Sequence, residues 1–138
     1  MKSIILLVSM FVLFISFAYA DYDPQYVSKV NGDTLFVKDD NEFGGINALP
    51  MLMQSDSLAP VTRVYFLKAG GMYSVQNNPQ SPNIHKTIIM GPEQNIKKGT
   101  MQPPIITGMY NTTIDCYRGM VCNKDLLVKN IDLEVGND

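Results

Sequence analysis

Residues that bind metals are scarce in this chain of 138 residues. It has one histidine, His85, and two cysteines, Cys116 and Cys122. A structural zinc site uses four such ligands at short, characteristic spacings, and His85 lies far upstream of both cysteines. The sequence therefore predicts no metal and no cofactor, and we expect His85 on the surface or in a turn.

Clustered positive charge is also missing. The chain has 11 Lys and Arg against 13 Asp and Glu, a net charge of −2. Lys97 and Lys98 are its single pair of adjacent basic residues. Because nucleic-acid-binding domains carry a basic patch or stripe, we expect no nucleic-acid partner.

Long apolar runs are missing except at the start of the chain. Residues 3–17 are almost wholly apolar, with Lys2 before them and Ala18-Tyr19-Ala20 after them. This is the pattern of a secretory signal peptide cleaved after Ala20, and the run is short for a transmembrane helix. The alternative is an uncleaved membrane anchor. We expect a secreted protein, extracellular or periplasmic in a bacterium, with no membrane span after cleavage.

Two modifications follow from that location. In an oxidising compartment a lone pair of cysteines is expected to form a disulfide, here Cys116–Cys122. The triplet Asn111-Thr112-Thr113 is an N-glycosylation sequon, so Asn111 is a glycosylation site if the source is a eukaryote.

Runs of helical length are absent. Short, β-branched runs stopped by glycines or loops predict an all-β protein; they cover residues 34–37, 61–68, 87–90, 105–107, 112–116 and 126–135. Ile46, Leu49 and Met53 have helical spacing, but Pro50 limits that segment to one or two turns. Residues 22–31 read as a loosely held arm. Residues 38–42, despite three acids, read as a solvated loop rather than a calcium site.

The C-terminal stretch predicts two strands joined by a corner. The apolar residues change parity across it, with Leu126 and Val128 before Asn130 and Ile131, Leu133 and Val135 after it. Asn tolerates the left-handed conformation that a tight corner needs. No Asn-Gly or Asp-Gly turn joins adjacent predicted strands, and the loops between them are unequal in length, so these loops and the parity switch favour a parallel β-helix over a sandwich. We expect Ile88, Ile105, Ile114, Ile131 and Leu133 to stack inward.

The order of these pieces resembles a known family. Residues 64–73, Val-Tyr-Phe-Leu-Lys-Ala-Gly-Gly-Met-Tyr, resemble the opening segment of right-handed parallel β-helix proteins of the pectin-lyase-like superfamily. Residues 86–91, 104–108, 112–116 and 128–133 are similar to its following rungs, and residues 34–54 to its cap. The resemblance implies a short right-handed parallel β-helix with an N-terminal capping strand and short helix. The domains would be a signal peptide (1–20), an arm and cap (21–60) and rungs (61–138).

Two departures from the family limit what is carried over. The Gly-Gly-Met-Tyr stretch has one glycine more than the usual spacing. In the superfamily's enzymes the catalytic carboxylates and arginines come from later rungs, and no motif here matches them. No catalytic residue is therefore assigned.

Three functions remain open at this point. The first is a non-catalytic secreted or surface β-helix protein, structural or binding a polysaccharide or cell-surface glycan. The second is a truncated polysaccharide-active enzyme (a lyase, hydrolase or esterase), and the third a small secreted β-sandwich that binds a protein. Asp132 and Glu134 share one strand face, where solvated acids are expected. The C-terminal end offers no cover for its last strands, which predicts self-association there.

Overall fold

The computed structural model describes residues 22–76, 80–81, 85–93, 102–108, 110–111, 116–117, 121–122 and 125–135. Two α-helices are α1 (Asp40–Phe43) and α2 (Ala48–Ser55), and a short 3-10 helix covers Pro24–Tyr26. The longer strands are β1 (Val27–Asn31), β2 (Thr34–Val37), β3 (Val64–Phe66), β4 (Met72–Val75), β6 (Thr87–Met90), β7 (Ile105–Gly108), β11 (Leu126–Lys129) and β12 (Asp132–Val135). The two-residue strands are β5 (Gln80–Ser81), β8 (Tyr110–Asn111), β9 (Cys116–Tyr117) and β10 (Val121–Cys122).

The described chain begins with a β-hairpin. β1 pairs antiparallel with β2, and a two-residue loop connects Asn31 to Thr34. Gly32 opens this loop with a φ of 55°, a conformation that glycine adopts without a steric penalty. The expectation of a loosely held arm over residues 22–31 is therefore wrong for β1, and the Asn31-Gly32 pair does mark a hairpin.

A five-stranded sheet runs in the order β1-β2-β3-β6-β11. All its pairs after the hairpin are parallel. Leu35 lies beside Tyr65, and Tyr65 beside Ile89. These three side chains are at most 1% exposed, so they form the inner face of the sheet.

A second sheet has three parallel strands in the order β4-β7-β12. Its register places Tyr73, Ile106 and Leu133 side by side. Tyr73 and Ile106 are buried in the common core. Two further pairs lie outside these sheets: β5 with β10, parallel, and β8 with β9, antiparallel.

Helix α2 supplies a large part of the core. Four of its side chains are 1% exposed or less, namely Ala48, Leu49, Leu52 and Met53. Pro50 lies in the first turn, where the missing N–H breaks no hydrogen bond within the helix. The expectation of one or two helical turns here is confirmed.

The predicted fold class, an all-β right-handed parallel β-helix, is wrong. The structure is mixed α/β, with two helices against sheets that contain both parallel and antiparallel pairs. The strands are mostly parallel, as expected, but in the described part of the chain they form no β-helix solenoid. The physical reason lies in the first half of the chain, where an antiparallel hairpin and α2 build much of the core.

The expected inward stack is displaced by one residue in two strands. Ile89 and Ile106 are buried, whereas Ile88 and Ile105 are only half-buried. A shift of one residue exchanges the faces of a strand. Ile131 packs partly against the core, Leu133 is 65% exposed, and Ile114 lies outside the described residues.

The predicted corner is confirmed. Asn130 has a φ of 58°, in the left-handed region, and joins β11 to β12. Its side-chain amide donates to the carbonyl oxygen of Gly91 at 3.4 Å. In the segments that the structure covers, no helix combines the length and the apolar character needed to cross a bilayer.

Candidate functional site

An open pocket lies between the end of α2 and the start of β6. The cavity itself has a volume of about 10 Å³, room for about one water molecule, and the space including open solvent at its mouth is about 200 Å³. The lining side chains come from three segments of the chain: Asp56, Ser57, Ala59, Val61, Arg63, Tyr65, His85 and Lys86. Five of these eight residues are polar and carry side-chain N–H or O–H groups, which makes the pocket the candidate site.

The pocket is built around a buried carboxylate. The Asp56 side chain is fully buried at the C-terminal end of α2, where its backbone N–H donates to Leu52. The Tyr65 hydroxyl donates to Asp56 Oδ2 at 2.9 Å, and Arg63 Nε donates to Asp56 Oδ1 at 3.4 Å. A buried charge without such partners would cost several kcal/mol. The two carboxylate oxygens therefore hold the side chains of Arg63 and Tyr65 in place.

Arg63 links the pocket to the N-terminal hairpin. Its side chain is 8% exposed, and Nη1 lies 3.8 Å from Asp33 Oδ1 in the hairpin loop. The guanidinium carbon also lies 5.8 Å from the centre of the Tyr22 ring, within cation–π range. These contacts with Asp33 and Tyr22 fix the orientation of the guanidinium group.

The mouth of the pocket carries two further nitrogen-bearing side chains. His85 is half-buried and Lys86 is exposed, and both precede β6 directly. Thr87, the first residue of β6, is buried, and its N–H donates to Asp125 O at 2.9 Å. This anchored strand start sets the position of the two residues before it. The expectation of a surface or turn position for His85 is consistent with the bend found there.

The arrangement is suited to binding an anion or an acidic group. Lys86 offers a charge-assisted donor and His85 an imidazole nitrogen at the mouth, whereas Arg63 and the pocket's carboxylate are already paired with each other and with Asp33 and Tyr65. Ala59 and Val61 add a small apolar wall.

Sequence reasoning missed this cluster. Residues 56–60 were read as a connector and residues 61–68 as an ordinary strand. One signal was present: Arg63, Tyr65 and Leu67 share a strand parity, and all three prove to be buried. A charged residue on the buried parity of a strand implies a buried partner of opposite charge.

A second polar cluster occupies residues 39–42, which were expected to be a solvated loop. That expectation is wrong. Asp39 is 4% exposed and caps α1, because its Oδ1 accepts from Glu42 N at 2.8 Å. Lys68 Nζ lies 2.8 Å from Glu42 Oε1 and 3.4 Å from Asp39 Oδ2. The hydrogen bond to Glu42 raises the pKa of Lys68.

The remaining acid of that cluster holds the second sheet. Asp40 Oδ2 accepts from Ser74 N at 3.0 Å, while its other oxygen, Oδ1, is buried with no hydrogen-bond partner among the described residues. Asp39 and Glu42 therefore share Lys68, whereas Asp40 accepts from the backbone of Ser74. Within the segments described, no group of three or more His, Cys, Asp or Glu is arranged to hold a metal ion.

Tyr73 connects the two sheets beneath this cluster. Its hydroxyl accepts from Lys68 N at 2.8 Å and donates to Val37 O at 3.1 Å. The side chain is 1% exposed, and burial raises the pKa of Tyr73 above its usual range. The hydroxyl thus serves as a neutral crosslink between β2 and the turn before β4.

The other residues singled out in the sequence are not tested. Ala20 lies outside the described residues. Cys116 and Cys122 belong to β9 and β10, and Asn111 to β8, but only their backbone is described. The disulfide and the glycosylation site stay predictions.

Comparisons of the chain with protein-family models, with curated proteins and with solved structures each find no match.

Proposed function

We propose that the protein is a secreted, non-catalytic binding protein that binds an acidic sugar unit of a polysaccharide or cell-surface glycan at the mouth of this pocket. One observation carries the proposal: the exposed Lys86 lies beside His85 at the mouth of a pocket whose carboxylate is already bonded to Arg63 and Tyr65. The signal peptide predicted over residues 1–20 supports an extracellular ligand.

The chemistry of an acidic sugar fits the pocket in two respects. Its carboxylate matches cationic N–H donors, and such charge-assisted hydrogen bonds are about twice as strong as neutral ones. Its ring also has an apolar face, which suits the wall formed by Ala59 and Val61. A neutral sugar would offer no opposite charge to Lys86.

Binding is favoured over glycoside cleavage by the state of Asp56. Most glycosidases use two carboxyl groups, one as an acid and one as a base or nucleophile. The two oxygens of Asp56 accept from Tyr65 and Arg63 instead. A carboxylate held in this way orients its neighbours.

The test is isothermal titration calorimetry of the mature chain with oligosaccharides of galacturonic acid and, as the neutral counterpart, of galactose. We expect binding of the acidic series only. Lys86→Gln removes one charge-assisted contact, worth about 1.5 kcal/mol, and should weaken binding about tenfold. Lys86 is exposed, so this change should leave the fold intact.

The matched control is Lys29→Gln, an equal change of charge on the exposed face of β1. It should leave the dissociation constant unchanged. Equal binding of acidic and neutral oligosaccharides, binding of neither, or equal losses in the two variants would contradict the proposal.

A further inference from the structure

Within the described part of the chain, the C-terminal corner, defined as β11, Asn130, Ile131 and β12, has two sheet edges with no further strand paired to them. β11 is the last strand of the five-stranded sheet and β12 the last strand of the three-stranded sheet. Apolar side chains are exposed along them: Leu126 by 47%, Leu127 by 41% and Leu133 by 65%. Free edges with exposed apolar residues are templates for pairing with another strand.

The backbone shows which groups point away from the sheets. Lys129 O accepts from Gly91 N and Asp125 O from Thr87 N, both at 2.9 Å. The backbone groups of alternate residues face opposite sides of a strand, so those of Leu126 and Val128 face outward. On β12, Asp132 N donates to Pro104 O at 3.0 Å, so the backbone groups of Leu133 face outward.

The side chains follow a complementary pattern. Leu126 and Val128 lie in register with the buried Thr87 and Ile89, so they point to the core side. Leu133 lies beside the buried Ile106 and points to the core side as well.

The charges of the corner lie on its outer side. Lys129 and Asp132, on either side of the bend, alternate with these core-side residues and are exposed. β11 carries a base and no acid, and β12 carries two acids and no base.

We propose that the C-terminal corner is a homodimer interface, in which β11 of one copy pairs antiparallel with β12 of a second copy about a twofold axis through the corner. The register places Val128 opposite Leu133 of the partner subunit. Both residues then have outward backbone groups, as a hydrogen-bonded antiparallel pair requires, and both side chains lie on the core side. The same register places Lys129 opposite Asp132 of the partner subunit.

The twofold symmetry makes every contact twice. A single axis at Asn130 and Ile131 pairs β11 with β12 and, at the same time, β12 with β11, as an isologous interface requires. Two charge pairs, two apolar pairs and two extended backbone ladders result. The alternative of pairing β11 with β11 places no acid opposite Lys129, so the charges favour the mixed pairing.

The test measures the oligomeric state of the mature protein by sedimentation equilibrium across a range of concentrations. We expect a monomer–dimer equilibrium. Lys129→Asp places two acids opposite each other twice per dimer and should raise the dimer dissociation constant about tenfold or more. The double variant Lys129→Asp with Asp132→Lys restores both pairs and should restore the dimer.

The control is Lys29→Asp on β1, the opposite edge of the five-stranded sheet, which should leave the equilibrium unchanged. Thermal melts of each variant verify that the monomer is folded. A monomer at all concentrations would overturn the proposal, whether the corner is covered by another protein or stays bare. Three other outcomes would also overturn it. They are a dimer whose dissociation constant Lys129→Asp does not change, a double variant that stays monomeric, and a dimer that Lys29→Asp dissociates.

Discussion

At the scale of single residues, the buried polar groups decide how the elements are held together. Asp56, Arg63 and Tyr65 join the end of α2 to β3, and Tyr73 joins β2 to the turn before β4. The sequence marks such residues poorly, because each stands among apolar neighbours or in a connector. The burial of each is explained only by its partner, which is 7 or 9 residues away for Asp56 and 36 residues away for the Tyr73–Val37 bond.

Tyr73 predicts how stability depends on pH. Its pKa in the folded protein is raised by burial, while in the unfolded chain it is about 10. Its contribution to the free energy of unfolding is therefore complete below pH 10. This contribution is lost as the pH rises above 10, because the unfolded chain then releases the phenolic proton while the folded protein still holds it. The pKa of Lys68 is also raised, which acts in the same direction.

We expect the Tyr73→Phe variant to lose part of this alkaline decline. At pH 7 it should be less stable by about 1–3 kcal/mol, because Lys68 N and Val37 O lose their partner. Urea unfolding at pH 7, 9 and 10.5 measures both effects. Tyr22→Phe, at a half-buried position, is the control. An alkaline decline of full size in Tyr73→Phe would contradict the assignment.

At the scale of elements, the sequence predicted where strands occur better than it predicted which side of each strand is buried or where a helix forms. The corner at Asn130 followed from the parity switch around it. The inner faces of β6 and β7 did not, because Ile88-Ile89 and Ile105-Ile106 are pairs of equal residues that give no alternation. The short helix α1 has no apolar period of its own and depends on the Asp39 cap and on packing.

Gly91 sets the fit between the end of β6 and the corner. A Cβ at this position would collide with the carbonyl oxygen of Asn130 and lie 2.8 Å from Cδ and Cγ of Pro104. Two of these three atoms belong to the rigid Pro104 ring and one to the backbone, so none of them can move aside easily. The chain passes the corner at this distance only because residue 91 has no side chain.

We expect Gly91→Ala to lower the free energy of unfolding by about 3 kcal/mol, the cost of overpacking at a site that cannot yield. The matched control is Gly32→Ala, where a Cβ meets nothing within 4 Å and only the positive φ is strained. It should cost about 1 kcal/mol. Chemical denaturation measures both values. Equal losses of unfolding free energy in the two variants would show that the backbone of the corner moves to make room for the Cβ, and would contradict the prediction.

At the scale of the whole molecule, parallel pairing was predictable and the architecture was not. The order of glycine-stopped strands with unequal loops indicated parallel pairs correctly. The mixed α/β class escaped prediction because α2 contains Pro50 and spans only eight residues, so its periodicity is short. The pocket escaped it as well, since its walls come from segments that the sequence separates by about one-fifth of the chain.

The proposed secretion gives a prediction for the start of the mature chain. We expect protein recovered from the medium or periplasm to begin at Asp21, as the Ala18-Tyr19-Ala20 motif indicates. Thiol titration of the denatured, unreduced protein should detect no free thiol if Cys116 and Cys122 are paired. Intact-mass measurement checks the first point. An N-terminus at Met1, or two free thiols, would contradict the respective prediction.

The parallel sheet also has a consequence for the speed of folding. In the five-stranded sheet only the β1–β2 hairpin closes a short loop, whereas Leu35 meets Tyr65 and Ile89 meets Val128 across long stretches of chain. Each such closure costs chain entropy before any contact is gained. High contact order slows folding towards milliseconds or seconds. We therefore expect the β1–β2 hairpin and the helices to form early in folding. The parallel strands should pair later, because their partners are distant in the chain.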